Sequence, residues 1–137
     1  LFNLIKKCPN PKRIRCLLWR IAHNSLCTND WRNSRFITTI ATCTRWHASR
    51  ETCLHALRDC TFSKSVWSEI MTHNVDQGFF LSPLNDWLLS NLNASNPEWS
   101  QLFAMTLDSI WKACNNLIFC QTDISSIQVA CEVNGCV

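Results

Sequence analysis

Glycine is scarce in this 137-residue chain, where Gly78 and Gly135 are the only two. A glycine-rich phosphate-binding loop needs several glycines close together, so nucleotide sites of that type are excluded. The chain also lacks a run of eighteen uncharged apolar residues, and it lacks a basic segment followed by an apolar stretch and a cleavage site. We therefore predict no membrane span, no signal peptide and no membrane partner, and we expect an intracellular chain in the cytoplasm or nucleus.

Acidic residues are few in the first half of the chain. Residues 1–70 hold twelve Lys and Arg against four acids, a formal charge of +8, whereas residues 71–137 hold one Lys against six acids, a charge of −5. A basic segment favours a polyanionic partner such as RNA or DNA, because each phosphate that is neutralised releases condensed counterions. A solvated basic face without a ligand is the alternative.

Cysteine, in contrast, is abundant, with ten residues. Disulfide frameworks replace a core that is too small, but this chain has seven Trp and seven Phe to build a core. Cys16, Cys114 and Cys120 fall within helical patterns, where a free thiol behaves as a small buried hydrophobe. The chain starts at Leu1, so we expect it to be a piece of a longer protein.

The apolar periodicity predicts a mainly α fold. A basic amphipathic helix is predicted over residues 11–24, with Asn10 as N-cap, and Thr28 is predicted to cap a second, short helix. A helix over residues 51–58 capped by Ser49 and another over residues 63–72 follow. After a linker at residues 74–78, helices are predicted over residues 83–92, from Asn96 to Ile118 and from Ser125 onward, whereas residues 36–44 read as extended or loop. We predict two units, a small helical domain around a Cys/His zinc-knuckle-like segment at residues 1–73 and a helical extension at residues 74–137.

Cys43, His55 and Cys60 lie within eighteen residues and form the candidate metal site. A structural zinc needs four soft or borderline donors in a tetrahedron. His55 and Cys60 have the spacing of the second half of a zinc knuckle, but the first half reads Cys43-Thr44-Arg45-Trp46, and an indole has no lone pair to donate. His47 or Cys53 is the candidate fourth ligand, or water completes the site. The alternative is two buried thiols and a hydrogen-bonded histidine. We expect weakened zinc binding, with residues 40–62 less ordered than their neighbours.

The order of several short motifs resembles a known family. Those motifs are Trp19-Arg20, His23-Asn24-Ser25-Leu26, Thr28, Cys43, Glu51-Thr52, His55, Cys60 and Val66-Trp67. They resemble the zinc-binding domain that follows the reverse transcriptase in plant non-LTR (LINE-type) retrotransposons. The segment from Ile110 to Phe119 is similar to the one that precedes a ribonuclease H domain in those polyproteins.

The resemblance implies a metal pattern Cys-x2-Cys-x8-His-x4-Cys. It places three ligands at Cys43, His55 and Cys60 and the second ligand position at Trp46, and it places a family arginine at Cys114. Single-base changes account for both departures, which leads to the hypothesis that the chain derives from a decaying element copy. An excess of C-to-T transitions over related copies in the coding DNA would support that hypothesis.

We predict a non-catalytic accessory module that binds RNA or DNA, with reverse transcriptase and ribonuclease H regions of the same polyprotein as further partners. The carboxylates are scattered, and no nucleophile carries a recognisable flanking motif. The predicted phosphate contacts are Lys6, Lys7, Lys12, Arg13, Arg20, Arg32, Arg35, Arg45, Arg50 and Arg58. Two alternatives remain, a helical protein-interaction piece that uses a stripe of Trp99, Phe103 and Trp111, and a non-functional pseudogene product.

Overall fold

Helices make up almost all of the regular structure, as predicted. The computed structural model of the chain describes residues 1–71 and 77–135. In those residues no β-strand forms, and one isolated bridge pairs Thr42 with Arg50. The helices in these residues do not combine the length and the apolar composition that a membrane span requires. The helices are α1 (Phe2–Lys6), α2 (Lys12–Ala22), α3 (Asn29–Ser34), a π-helical turn (His55–Asp59), α4 (Thr61–Ile70), a 3-10 turn (Gln77–Phe80), α5 (Leu84–Leu92), α6 (Pro97–Phe119) and α7 (Ser126–Gly135).

Helix α2 begins and ends close to the predicted positions, but Asn10 does not cap it. Pro11 is the N-cap residue and makes no side-chain cap. Asn10 is buried instead, where its Oδ1 accepts from the Cys8 thiol and its Nδ2 donates to the Gln101 carbonyl. At the other end Asn24 has a φ of 51°, and the N–H groups of Asn24 and Ser25 bond back to Ile21 and Arg20. That arrangement is a Schellman motif, which uses a left-handed residue to stop the helix.

Local capping signals are correct at two other helices. The Thr28 hydroxyl accepts from the Trp31 N–H at the start of α3. The Asn96 side chain accepts from the Glu98 N–H, with Pro97 as the first residue of α6. Each such cap satisfies a backbone donor that has no partner within the helix.

The segment that carries His55 differs from the prediction. We expected an α-helix over residues 51–58 capped by Ser49, but Thr52 supplies the cap, since its hydroxyl accepts from the His55 N–H. From His55 to Asp59 the backbone then widens to a π-helical turn. Helix α4 follows at Thr61, two residues before the predicted start, and the end predicted for it, Thr72, lies outside the described residues.

The centre of the core is a cluster of aromatic rings contributed by α4, α5, α6 and the 3-10 turn. Trp67, Trp87 and Phe103 are fully buried. The Trp67 ring stacks on Phe103 at 5.3 Å between centroids and meets Trp87 edge-on at 5.9 Å. The Trp67 Nε1 donates to the Leu57 carbonyl at 2.8 Å, so the polar group of this buried indole has a hydrogen-bond partner. Phe103 is thus a core residue, and Trp99 and Trp111 pack against the core. All three side chains of the stripe therefore contact the core, and Trp99 and Trp111 are half-buried.

The two oppositely charged halves share this core. The buried cluster draws residues from both sides of the undescribed segment, and α7 packs against both α4 and α6. Two ion pairs also join the halves, Arg13 with Asp108 at 3.1 Å and Arg45 with Asp123 at 2.9 Å. The predicted domain boundary after residue 73 and most of the linker predicted at residues 74–78 lie outside the described residues.

Candidate metal centre and basic surface

A tight loop holds Cys43. The Cys43 N–H donates to the Ser49 carbonyl at 2.8 Å, and the Glu51 N–H donates to the Ala41 carbonyl at 2.9 Å, which closes the loop at its base. Inside the loop the Trp46 N–H interacts with the Cys43 sulfur. The chain therefore turns back on itself between residues 43 and 46, as the first half of a zinc knuckle requires.

The π-helical turn holds the other two donors. The Cys60 N–H donates to the His55 carbonyl at 2.8 Å, the i to i+5 bond of a π-helix. In an α-helix, two residues five apart are separated by about 140° around the axis, because each residue turns by about 100°. The wider winding places residues five apart nearly above one another, so His55 and Cys60 face the same side.

The three donors meet at the spacing that zinc requires. The ligand atoms of Cys43, His55 and Cys60 all lie within 4.8 Å of one another, and the two sulfurs are 3.9 Å apart. Two sulfurs that are each about 2.3 Å from a tetrahedral zinc are about 3.8 Å apart, whereas a disulfide needs about 2.05 Å. The Nε2 atom of His55 is buried without a hydrogen-bond partner among the described residues. The donor set and the unpaired nitrogen therefore fit a zinc ion.

The electrostatics of the centre favour a thiolate at Cys60. Hydrogen bonding to Cys43 lowers the pKa of Cys60, and the Phe62 and Ser63 N–H groups at the start of α4 lower it further. The contact with Cys60, together with burial, raises the pKa of Cys43. Interaction with the Cys43 side chain also raises the pKa of His55. The N–H groups at the positive end of α4 thus stabilise a negative charge on Cys60.

The predicted fourth ligands are not at the centre. Trp46, at the predicted second position of the knuckle, has 57% of its surface exposed. His47 is exposed and Cys53 is buried in the hydrophobic core, and neither belongs to the three-donor group. Burial raises the pKa of Cys53 to about 12, which keeps it a neutral thiol.

Two residues near the centre were not predicted from the sequence. Cys114, on α6, lines the same small cavity as Cys43 and Cys60, and burial raises its pKa to about 12. The Glu51 carboxylate is buried, accepts from the Asn29 N–H at 2.8 Å and so links α3 to the base of the Cys43 loop.

Cys114 is buried as predicted, but Cys16 and Cys120 are exposed. All nine described cysteines are free thiols.

Most of the predicted phosphate contacts lie at the surface. Five have no carboxylate partner among the described residues and are exposed, namely Lys6, Lys7, Lys12, Arg20 and Arg35. Arg32 is half-buried and likewise has no ion pair. Arg13 and Arg50 are exposed but engaged in ion pairs, with Asp108 and Asp30.

Arg45 and Arg58 correct the predicted set, because both serve the fold. Only 5% of the Arg58 side chain is exposed, and its guanidinium binds the Asp59 carboxylate at 2.7 Å and the Ser82 carbonyl at 2.6 Å. The Arg45 side chain is 14% exposed and lies 3.8 Å from the centre of the Phe62 ring. Both guanidinium groups are thus turned into the fold and largely withdrawn from a ligand at the surface.

The fold and the site together define a small helical protein with a Cys/His group that could hold a metal ion. Residues 1–67 match the family described as zinc-binding in reverse transcriptase. This part of the chain belongs to that family of reverse transcriptase zinc-binding domains.

The chain is also similar to a protein of Arabidopsis thaliana that is named as a candidate ribonuclease H protein. The two are 30% identical over 121 residues, which covers 85% of this chain and 20% of the relative. The chain thus spans about a fifth of the length of the curated relative that it matches. No solved structure matches the chain.

Proposed function

We propose that the chain is a non-catalytic accessory module that binds RNA or DNA within the polyprotein of a plant LINE-type retrotransposon. Residues 1–73 form its zinc-binding part, and residues 74–137 form the helical region that precedes a ribonuclease H domain. The reverse transcriptase and ribonuclease H regions of the same polyprotein are its further partners. The family of residues 1–67 and the name of the Arabidopsis relative support this assignment.

The observation that carries nucleic-acid binding is the unequal pairing of charges in the first half. Three of its four carboxylates already have a partner. Asp30 and Asp59 pair with arginines, and the buried Glu51 carboxylate accepts a hydrogen bond from the Asn29 N–H. Eight cations keep no carboxylate partner among the described residues, and they are Lys6, Lys7, Lys12, Arg15, Arg20, Arg32, Arg35 and Lys64. The positive charge of this half is therefore available to a polyanion.

Zinc has a structural role in this proposal. Cys43, His55 and Cys60 hold the ion, which links the Cys43 loop to the π-helical turn. Because the residue at the second knuckle position is Trp46, the ion is bound by three protein ligands and more weakly than by four.

The absence of catalysis rests on the arrangement of the carboxylates. A two-metal nuclease site needs several carboxylates around one point. In residues 1–71 and 77–135, the one group of three or more metal-binding side chains is Cys43, His55 and Cys60. The ribonuclease H activity suggested by the relative's name is assigned here to a separate domain.

Salt dependence of binding tests the proposal. We expect a labelled 20-nucleotide RNA or DNA strand to bind in fluorescence anisotropy at 50 mM salt. With six phosphates contacted, the log–log slope of affinity against salt should be about −4, since each contributes about −0.7. The test variant is Arg35→Gln, which should weaken binding. Its matched control is Lys112→Gln in the acidic half, which should not. An affinity that does not change from 50 to 200 mM salt would contradict the proposal. Cleavage of the strand in Mg²⁺ by the purified chain would contradict the non-catalytic part.

A further inference from the structure

A basic groove lies between α1 and α2. It has a volume of about 510 Å³, and its lining includes Lys6, Lys12, Arg15 and Arg20 together with the Trp19 ring. None of these four cations has an ion-pair partner among the described residues. Buried Ile5 also lines the groove and anchors α1 against the core. The site is therefore cationic and has an apolar, aromatic component.

Exposed aromatic rings extend from this groove. Phe2 and Trp19 are 40% and 42% exposed, although Trp19 lies on a helix whose opposite face is fully buried. The ring centroids are 5.0 Å apart for Phe2 and Trp19 and 4.3 Å apart for Trp19 and His23. The contacts fix the Trp19 indole in place, so a planar ligand that stacks on it meets a surface that is already ordered.

The combination of the two features indicates the class of ligand. Phosphates can pair with the four cations, and a flat aromatic group can contact the part of the Trp19 indole that Phe2 and His23 leave exposed. A single nucleic-acid strand offers both, because its phosphates run along one side while its bases are free to stack. A duplex hides the faces of its bases, and an anionic lipid surface has no planar ring to offer.

We infer that the groove between α1 and α2 is a binding site for single-stranded nucleic acid, in which Trp19 stacks on a base while Lys6, Lys12, Arg15 and Arg20 bind the flanking phosphates. This inference rests on the proposed function and narrows it to one strand type and one surface. Arg15 was not among the predicted contacts. The sequence does indicate the position of Arg15 beside Trp19. Residues three or four apart lie on one face of a helix, and this spacing joins Lys12, Arg15 and Trp19.

The experiment compares two exposed tryptophans in the full chain. Binding of 12-nucleotide oligo(dT) and oligo(U) is measured by anisotropy for Trp19→Ala, with Trp46→Ala as the matched control. We expect Trp19→Ala to lose affinity about tenfold or more with an unchanged salt slope, because stacking is not ionic. Trp46→Ala should bind as the parent chain does. Trp19→Phe keeps an aromatic face and should recover part of the loss. Circular dichroism of each variant checks that the helices are intact.

A second comparison concerns the cations. Arg15→Gln and Arg20→Gln together should reduce the steepness of the salt slope by about 1.4, whereas Lys112→Gln on α6 should leave binding at the groove unchanged. A 12-base-pair duplex should bind more weakly than either single strand.

The outcomes separate this inference from the proposed function. If no nucleic acid binds at 50 mM salt, the proposed function fails, and this inference fails with it. If single strands bind but Trp19→Ala and Trp46→Ala behave alike, or if the duplex binds more tightly, the groove is not the site and the proposed function stands. Preferential binding to vesicles of anionic lipid, with the same loss in Trp19→Ala, would overturn the inference in favour of a membrane surface.

Discussion

Replacing Trp46 by cysteine should restore the fourth zinc ligand. The Trp46 backbone already bends toward the Cys43 sulfur, and the other three donors already lie at zinc-binding spacing. The substitution therefore adds a thiolate where the loop is shaped to receive one. Trp46→Ala is the matched control, because it removes the same indole without adding a donor.

The magnitude follows from two opposing effects. Trp46 is 57% exposed, so either substitution removes roughly 100 Å² of buried surface and costs about 2 kcal/mol of unfolding free energy. Zinc at about 1,000 times its dissociation constant contributes about 4 kcal/mol to a chain that binds it only when folded. At a zinc concentration too low to fill the weaker three-ligand site of the parent chain, Trp46→Cys should therefore be about 2 kcal/mol more stable than the parent chain. In a chelator it should be about 2 kcal/mol less stable.

Two measurements test this change in the sign of the stability difference between zinc and chelator. Thermal melting monitored by circular dichroism should show Trp46→Cys about 8 °C above the parent chain in zinc and about 8 °C below it in chelator, at about 4 °C per kcal/mol. Native mass spectrometry should show one tightly held zinc, lost again in Trp46→Cys combined with Cys60→Ala. If Trp46→Cys and Trp46→Ala have the same melting temperature in both buffers, position 46 is not a ligand position. The idea that Trp46 replaces a fourth zinc ligand is then refuted.

Three further predictions concern residues whose roles became clear from the structure. Arg58→Ala should lower the free energy of unfolding by roughly 3 kcal/mol in urea titrations, since it removes a partner from Asp59 and from the Phe79 and Ser82 carbonyls. The exposed control Arg35→Ala should change it by less than about 0.5 kcal/mol. Equal effects would contradict the structural role of Arg58. Phe36→Gly should raise stability by about 1 kcal/mol and Phe36→Ala should not, because Phe36 is 96% exposed at a φ of 60°, where only glycine is free of strain. Asn10→Ala should cost about 1–2 kcal/mol by the same titration, and Asn10→Ser should not restore it, because Asn10 bonds to Gln101 across the core. Full recovery in Asn10→Ser would indicate an N-cap after all.

Local signals in the sequence were sufficient for several elements. The Thr28 and Asn96 caps are correct because each satisfies a backbone donor only two or three residues away. The apolar face of α2 is correct because four residues at helical spacing bury together, namely Ile14, Leu17, Leu18 and Ile21. Asn10 was mispredicted for the opposite reason, since its partner Gln101 is 91 residues distant.

The candidate site was predictable in its residues but not in its geometry. The spacing of Cys43, His55 and Cys60 identified the three donors. It did not reveal the π-helical turn, because an α-helical period is the default interpretation of such a segment. Nor did it separate exposed from buried arginines, since burial of Arg58 depends on Ser82 and Trp87, which lie more than twenty residues away.

The sequence by itself determined the helical class, the family of residues 1–67 and the three candidate donors Cys43, His55 and Cys60. These depend on residue type and short spacing, which the unfolded chain already contains. Only the tertiary structure decided that the two sulfurs stand 3.9 Å apart, that Cys114 approaches them, and that both halves share one core. Those facts arise when distant segments exclude water together. The direction of each side chain is then set by packing rather than by its neighbours in sequence.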